Sequence, residues 1–133
     1  MKKLVAFILC MALVITCVAC FAACNPKDDG NNDNAMKVAM ITDYGDITDQ
    51  SFNQTTYEAC KAFSEDNHLG FKYFKPAGDS TEARVASVEQ AIQEGYNVIV
   101  MPGYAFGETV VEVAETNPDV TFVALDVAQG DLG

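Results

Sequence analysis

"GYNVIVMPGYAFGETVVEVAETNPDVTFVALD", residues Gly95 to Asp126, holds two apolar runs of strand length with a helical pattern between them. "VIVM" from Val98 and "VTFVAL" from Val120 are unbroken, the mark of strands covered on both faces. Between them Val110, Val111 and Ala114 form the inward side of a short helix from about Glu108 to Glu115, and "NPD" stops it. Strand, helix and strand in that order make a crossover unit whose two strands run parallel.

The same alternation continues toward the N-terminus. Gly95 ends an earlier helix in which Val85, Val88 and Ile92 fall at helical spacing after the capping-type start "GDSTEA". Ahead of that helix, "FKYFK" from Phe71 is interrupted by Lys72 and Lys75, so it reads as an exposed edge strand whose charges discourage unwanted pairing. Another helix carries Phe52, Thr56, Ala59, Cys60 and Phe63 at helical spacing, and "VAMIT" from Val38 is the first strand. The whole predicts an α/β fold with a Rossmann-like parallel sheet. With the lysine-bearing second strand at the edge, the strand order is 2-1-3-4 and a topological switch falls between the first and third strands. Ligands of such sheets bind at the carboxyl ends of the strands, beside that switch.

Three segments meet there. "DYGDITDQSFNQ", Asp43 to Gln54, leaves the first strand; "PGYAFG", Pro102 to Gly107, leaves the third; and Asp126 ends the fourth. Asp43 and Asp126 can accept hydrogen bonds from hydroxyls or ring N–H groups, while Phe52, Tyr104 and Phe106 offer faces for stacking. Phe52 equally fits a core position of an amphipathic helix, and Tyr104 and Phe106 equally fit a role in covering the end of the sheet. Asp43, Asp46 and Asp49 raise a metal reading, because oxygen ligands suit calcium or magnesium and aspartate-rich loops mark metal-dependent nucleoside hydrolases. Their three-residue spacing lacks the alternate-residue pattern of a calcium loop, and Asp49 or Ser51 is better placed to cap the following helix. No metal or cofactor is expected, and Asp46 has no assigned role.

Composition narrows the function classes. The 133 residues carry 19 Asp plus Glu against 8 Lys plus Arg, a net charge of -11, and no basic cluster that could serve a phosphate backbone, so nucleic acid is not an expected partner. At the start, Lys2 and Lys3 precede an apolar run from Leu4 to Ala23 broken only by Thr16. This reads as an export signal, with an uncleaved membrane anchor as the alternative. "FAAC" at Phe21 to Cys24, followed by the polar "NPKDDGNNDN", resembles a bacterial lipobox, which makes Cys24 the expected lipidation site, with Cys20 a competing position. The expected division is therefore a lipoprotein signal peptide over 1–23, a flexible tether over 24–36 and a ligand-binding part over 37–133. Loss of residues 1–23 removes Lys2 and Lys3 and takes the charge from -11 to -13. Four of the five cysteines fall at or before Cys24, so Cys60 stands alone without an internal disulfide. It reads as a small apolar helix residue. A catalytic thiol would want a base, and the only histidine, His68 in "EDNHLG", has no visible partner.

"VAMITDYGDITDQSFNQTTYEA", with the Gly95 to Asp126 stretch, resembles the basic membrane protein family of bacterial lipoproteins, the purine-nucleoside-binding components of ABC importers. The likeness runs from about Lys37 to the end and rests on the combination T-D-x-G, D-x-S-F-N and a late F-x-x-x-D. Asp46 stands where the pattern commonly has a second glycine. The resemblance implies a type I periplasmic-binding-protein fold of two Rossmann-like lobes closing on a nucleoside, on the outer side of the cell membrane, with ABC permease subunits as partners. It places Asp43, Tyr44 and Asn53 of the shared motifs at the nucleoside, Phe52 stacked on the purine, Tyr104 as a further contact and Asp126 hydrogen-bonding from the fourth strand. A family member needs a second lobe, and the sequence stops at Gly133 just after strand four. The chain is thus expected to be an N-terminal fragment with an uncovered apolar edge, binding nucleoside weakly or not at all by itself. Capture without covalent chemistry is the expected function, with a metal-dependent nucleoside hydrolase or a sensory ligand-binding lobe as the alternatives.

Overall fold

The computed structural model describes residues 35 to 132. The expected signal segment, the lipidation position Cys24 and nearly all of the tether lie outside the described residues. Four strands alternate with three helices: β1 (Lys37–Ile41), α1 (Phe52–Asp66), β2 (Gly70–Phe74), α2 (Thr81–Gln93), β3 (Val98–Pro102), α3 (Gly107–Thr116) and β4 (Thr121–Leu125). Short 3-10 turns lie at Tyr104–Phe106 and Gln129–Asp131. The strands form one parallel sheet in the order β2-β1-β3-β4, as the lysines of β2 predict.

Alternation along each strand sends side chains to opposite faces. On one face Ala39 and Ile41 of β1, Phe74 of β2, and Ile99 and Met101 of β3 form the core with Val85, Val88 and Ala91 of α2, Val113 of α3 and Phe106. On the other face α1 covers β1 and β2, and Tyr57 packs against Phe71 and Tyr73 with ring centroids 5.6 and 5.4 Å apart. One helix on one face and two on the other is what right-handed crossovers give when the chain first steps from β1 to β2 and then turns back across β1 to β3 and β4. The switch point lies between β1 and β3.

Local starts and stops explain the boundaries. Ser80 caps α2 by accepting the Ala83 N–H at 3.3 Å, and Gly95, at φ 85°, closes its end in a conformation open to glycine. Ahead of α1 the cap falls to Asp49: its Oδ1 accepts the backbone N–H of Ser51 at 2.8 Å and of Gln54 at 3.2 Å, whereas Ser51 makes no side-chain cap bond.

Three expectations need correction. On α3 Val110 packs against the core as expected, but Thr109 and Val113 make the rest of the inward face and Val111 and Ala114 are exposed, because the helix follows directly on buried Phe106 and its inward row continues from there at helical spacing. In α1 the buried stripe is Asn53, Thr56 and Ser64, while Phe52 and Phe63 are exposed, since Asn53 is drawn inward by Asp43 and Asp49. β4 is not covered on both faces among the described residues: Thr121 and Val123 are exposed, consistent with its place at the sheet edge.

Candidate functional site

At the carboxyl ends of β1 and β3 the chain leaves the sheet in diverging directions and opens a cleft of about 260 Å³. Asp43, Tyr44 and Gly45 line it from β1, Asp79 and Arg84 from the start of α2, and Tyr104 from the turn after β3. Asp43 is the organising residue. Its Oδ1 accepts the N–H groups of Tyr44 and Gly45, both at 2.6 Å, and Nδ2 of Asn53 at 2.9 Å. Its Oδ2 has no donor among the described residues, which leaves one carboxylate oxygen uncommitted on a residue that lines the cleft. Partial burial opposes ionisation of Asp43, but the Gly45 and Tyr44 N–H groups, Asn53 and the Arg84 charge outweigh it and hold the carboxyl below the usual range.

The turn depends on its glycine. A Cβ at Gly45 would stand 2.5 Å from Asn53 Nδ2 and 3.1 Å from Asp43 Oδ1, inside the bonding arrangement. Asn53 is buried, donates also to Asp49 Oδ2 at 3.1 Å and accepts the Asp43 N–H at 3.3 Å. Its amide is spent on Asp43 and Asp49, so it braces the cleft from behind rather than presenting free groups to it.

The aromatic residues divide by exposure. Phe106 is fully buried in the core, whereas Tyr104 is 72% and Phe52 42% exposed, and Tyr44 is exposed as well. Phe52, the first residue of α1, is therefore not a core residue, and it stands outside the Asp43 cleft. Asp126 follows β4 at φ 57°, a left-handed conformation tolerated by Asp, and it is exposed. It does not line the cleft.

The three aspartates of the opening loop take different roles, Asp43 and Asp49 sharing only the Asn53 amide. Asp43 faces its own turn, Asp46 pairs with Lys75 Nζ at 3.4 Å and Thr48 Oγ1 at 3.2 Å, and Asp49 caps α1. Among the described residues no group of three or more His, Cys, Asp or Glu converges as a metal site would require. Cys60 is half-buried on α1, and burial pushes its thiol up. His68 precedes β2, at the end of the sheet opposite the cleft.

Asp79 and Arg84 escape a reading of the sequence. "GDSTEA" is legible as a helix start, and an arginine directly after it looks like a solvated charge. The available signal is that Arg84 shares the inward face with Val88 and Ala91, at helical spacing.

Comparison with known proteins bears on the fold and the family. The chain is 29% identical to the ABC transporter nucleoside-binding protein BmpA of Lactococcus lactis subsp. cremoris, over 95% of the chain and 37% of that protein. It is 28% identical to the CD4+ T-cell-stimulating antigen of Listeria innocua (90% and 36%) and 26% identical to an uncharacterised lipoprotein of Pyrococcus horikoshii (98% and 32%). The chain thus spans about a third of the length of these relatives. A solved solute-binding protein of an ABC transporter system from Conexibacter woesei superposes with a TM-score of 0.58 at 25% identity, over 66% of the chain and 28% of that structure. Residues 36–131 match the family model Bmp, described as ABC transporter substrate-binding protein PnrA-like. The chain belongs to the Bmp family of PnrA-like ABC transporter substrate-binding proteins.

Proposed function

We propose that this chain is the N-terminal lobe of a lipid-anchored, extracytoplasmic solute-binding protein that captures purine nucleosides and delivers them to an ABC permease. The observation that carries the reading is Asp43, which lines the cleft: three N–H donors fix one oxygen at the carboxyl end of β1 and leave the other without a donor among the described residues. A carboxylate so held is ready to accept O–H or N–H groups from a ligand without reorganising. Exposed Phe52, Tyr44 and Tyr104 beside it supply flat apolar surface of the kind a purine stacks on. Support for the nucleoside comes from the name of BmpA of L. lactis, and support for a lipid anchor from that of the Pyrococcus lipoprotein.

The cleft is open to solvent on this lobe, and its volume falls below the roughly 300–1,000 Å³ of a complete small-molecule pocket. A second lobe closing over Phe52, Tyr104 and Asp126 would complete it, with capture and release in place of bond-breaking. The test is a thermal-shift panel on the full-length protein. Inosine, guanosine or adenosine is expected to raise Tm, uridine and free ribose to leave it unchanged, and inosine incubated with divalent metal to stay intact. Release of free base would replace this reading with the hydrolase, and a response to pyrimidines alone would remove the purine assignment.

A further inference from the structure

The cleft contains one charge for which nucleoside capture by Asp43 and the exposed aromatics has no use. Arg84 is 6% exposed, and its guanidinium lies against the ring of Phe106, with Cζ 5.8 Å from the centroid. Nη2 donates to Asp79 Oδ1, Nε is buried without a partner, and Nη1 has no acceptor among the described residues. Burial of a guanidinium is costly unless its donors are met, and a well-packed apolar side chain commonly replaces a buried ion pair at no loss. Of the other buried positions on α2, Val85, Val88 and Ala91 are apolar, and Ser87 is met by the Ala83 carbonyl. Packing alone therefore does not account for an arginine here, and what remains of its surface borders the cleft that Asp43 also lines.

We propose that Arg84 is a specificity-determining residue that donates to an oxygen of the bound nucleoside while Asp43 Oδ2 accepts the neighbouring O–H or N–H. A guanidinium only donates and a carboxylate only accepts, so together they match a ligand edge that presents an acceptor beside a donor. Two edges of a purine nucleoside have that chemistry: the vicinal hydroxyls of the ribose, and the O6 and N1–H of a 6-oxopurine. The small cleft accommodates one such edge rather than the whole ligand. Asp79 holds the guanidinium in place from the β2–α2 loop. The inference rests on the nucleoside reading above.

A thermodynamic cycle on the full-length protein tests it, with wild type, Arg84→Met and Arg84→Lys titrated against inosine, 2′-deoxyinosine, 3′-deoxyinosine and purine riboside, which lacks O6. Arg84→Met is expected to weaken inosine by ~10- to 100-fold, the range of a hydrogen bond to a charged group. The analogue lacking the oxygen that Arg84 reads should be weakened by a similar factor on wild type and unaffected by the substitution. A deoxyribose analogue behaving so places the sugar at Arg84; purine riboside behaving so places the base there. Arg84→Lys, which keeps the charge, is expected to recover part of the inosine affinity, and it carries the cycle if Arg84→Met fails to fold. The proposal is overturned if the folded variants keep every analogue penalty intact, because Arg84 then acts only on the fold. Absence of nucleoside binding by wild type overturns both this proposal and the reading beneath it.

Discussion

Asp43 shows how a single residue organises a turn. Its depressed pKa means that folding favours the ionised form, so its contribution to stability is present above the ordinary aspartate value of about 3.9 and lost as pH falls through the lower folded value. Urea unfolding of wild type and Asp43→Asn is accordingly expected to differ most at neutral pH and to converge as the pH falls through the lowered folded value. A difference that grows on acidification would contradict the arrangement of donors around Oδ1. The aromatic pair after β3 allows a sharper separation of roles. Phe106→Ala should cost about 3–5 kcal/mol of stability, as expected for a large core side chain. Tyr104→Ala, at an exposed position, should stay within about 0.5 kcal/mol in denaturant titration and register instead in ligand affinity.

Among the elements, α1 has the most to explain, since its N-terminus joins the braced turn to Phe52. Asp49→Ala is expected to lower Tm and Ser51→Ala to change it far less, because the first-turn N–H bonds end on Asp49. Equal losses would mean that the cap is shared. At α3, a Cβ on Gly107 would overlap the carbonyl oxygen of Asp131, so Gly107→Ala should cost about 1–3 kcal/mol as overpacking, read in the same denaturant titrations. These elements also mark how far the sequence is legible. Continuous apolar runs and the lysines of β2 were sufficient for the strands, their parallel sense and the order 2-1-3-4, because hydrophobic period and edge charge act locally. Helix faces were less legible. In α1, polar bonds from Asn53 to Asp43 and Asp49 turn the helix and leave Phe52 and Phe63 outside, an outcome that hydropathy spacing does not contain. Arg84 and Asp79 stayed hidden for the same reason: their meaning comes from the cavity that three separate loops enclose.

At the scale of the molecule, the sheet has a dressed face and a half-dressed one. α2 and α3 cover the first, while beside α1 an apolar groove lined by Val38, Cys60, Phe63, Val98 and Val100 stays open, with Val123 of β4 exposed nearby. The ligand cleft, the exposed aromatics and Asp126 all lie at the carboxyl edge, where a second lobe would close. Family membership and the relatives' greater length accord with that arrangement. The central claim is that this edge holds a purine nucleoside with Phe52 against the base, and calorimetric titration of inosine into the full-length protein, wild type and Phe52→Ala, tests it most directly. The account predicts saturable binding that Phe52→Ala weakens by ~5- to 150-fold, from about 1–3 kcal/mol for one base stacked on an aromatic ring. No heat of binding with any purine nucleoside, or an unchanged Kd in a folded Phe52→Ala variant, would contradict it.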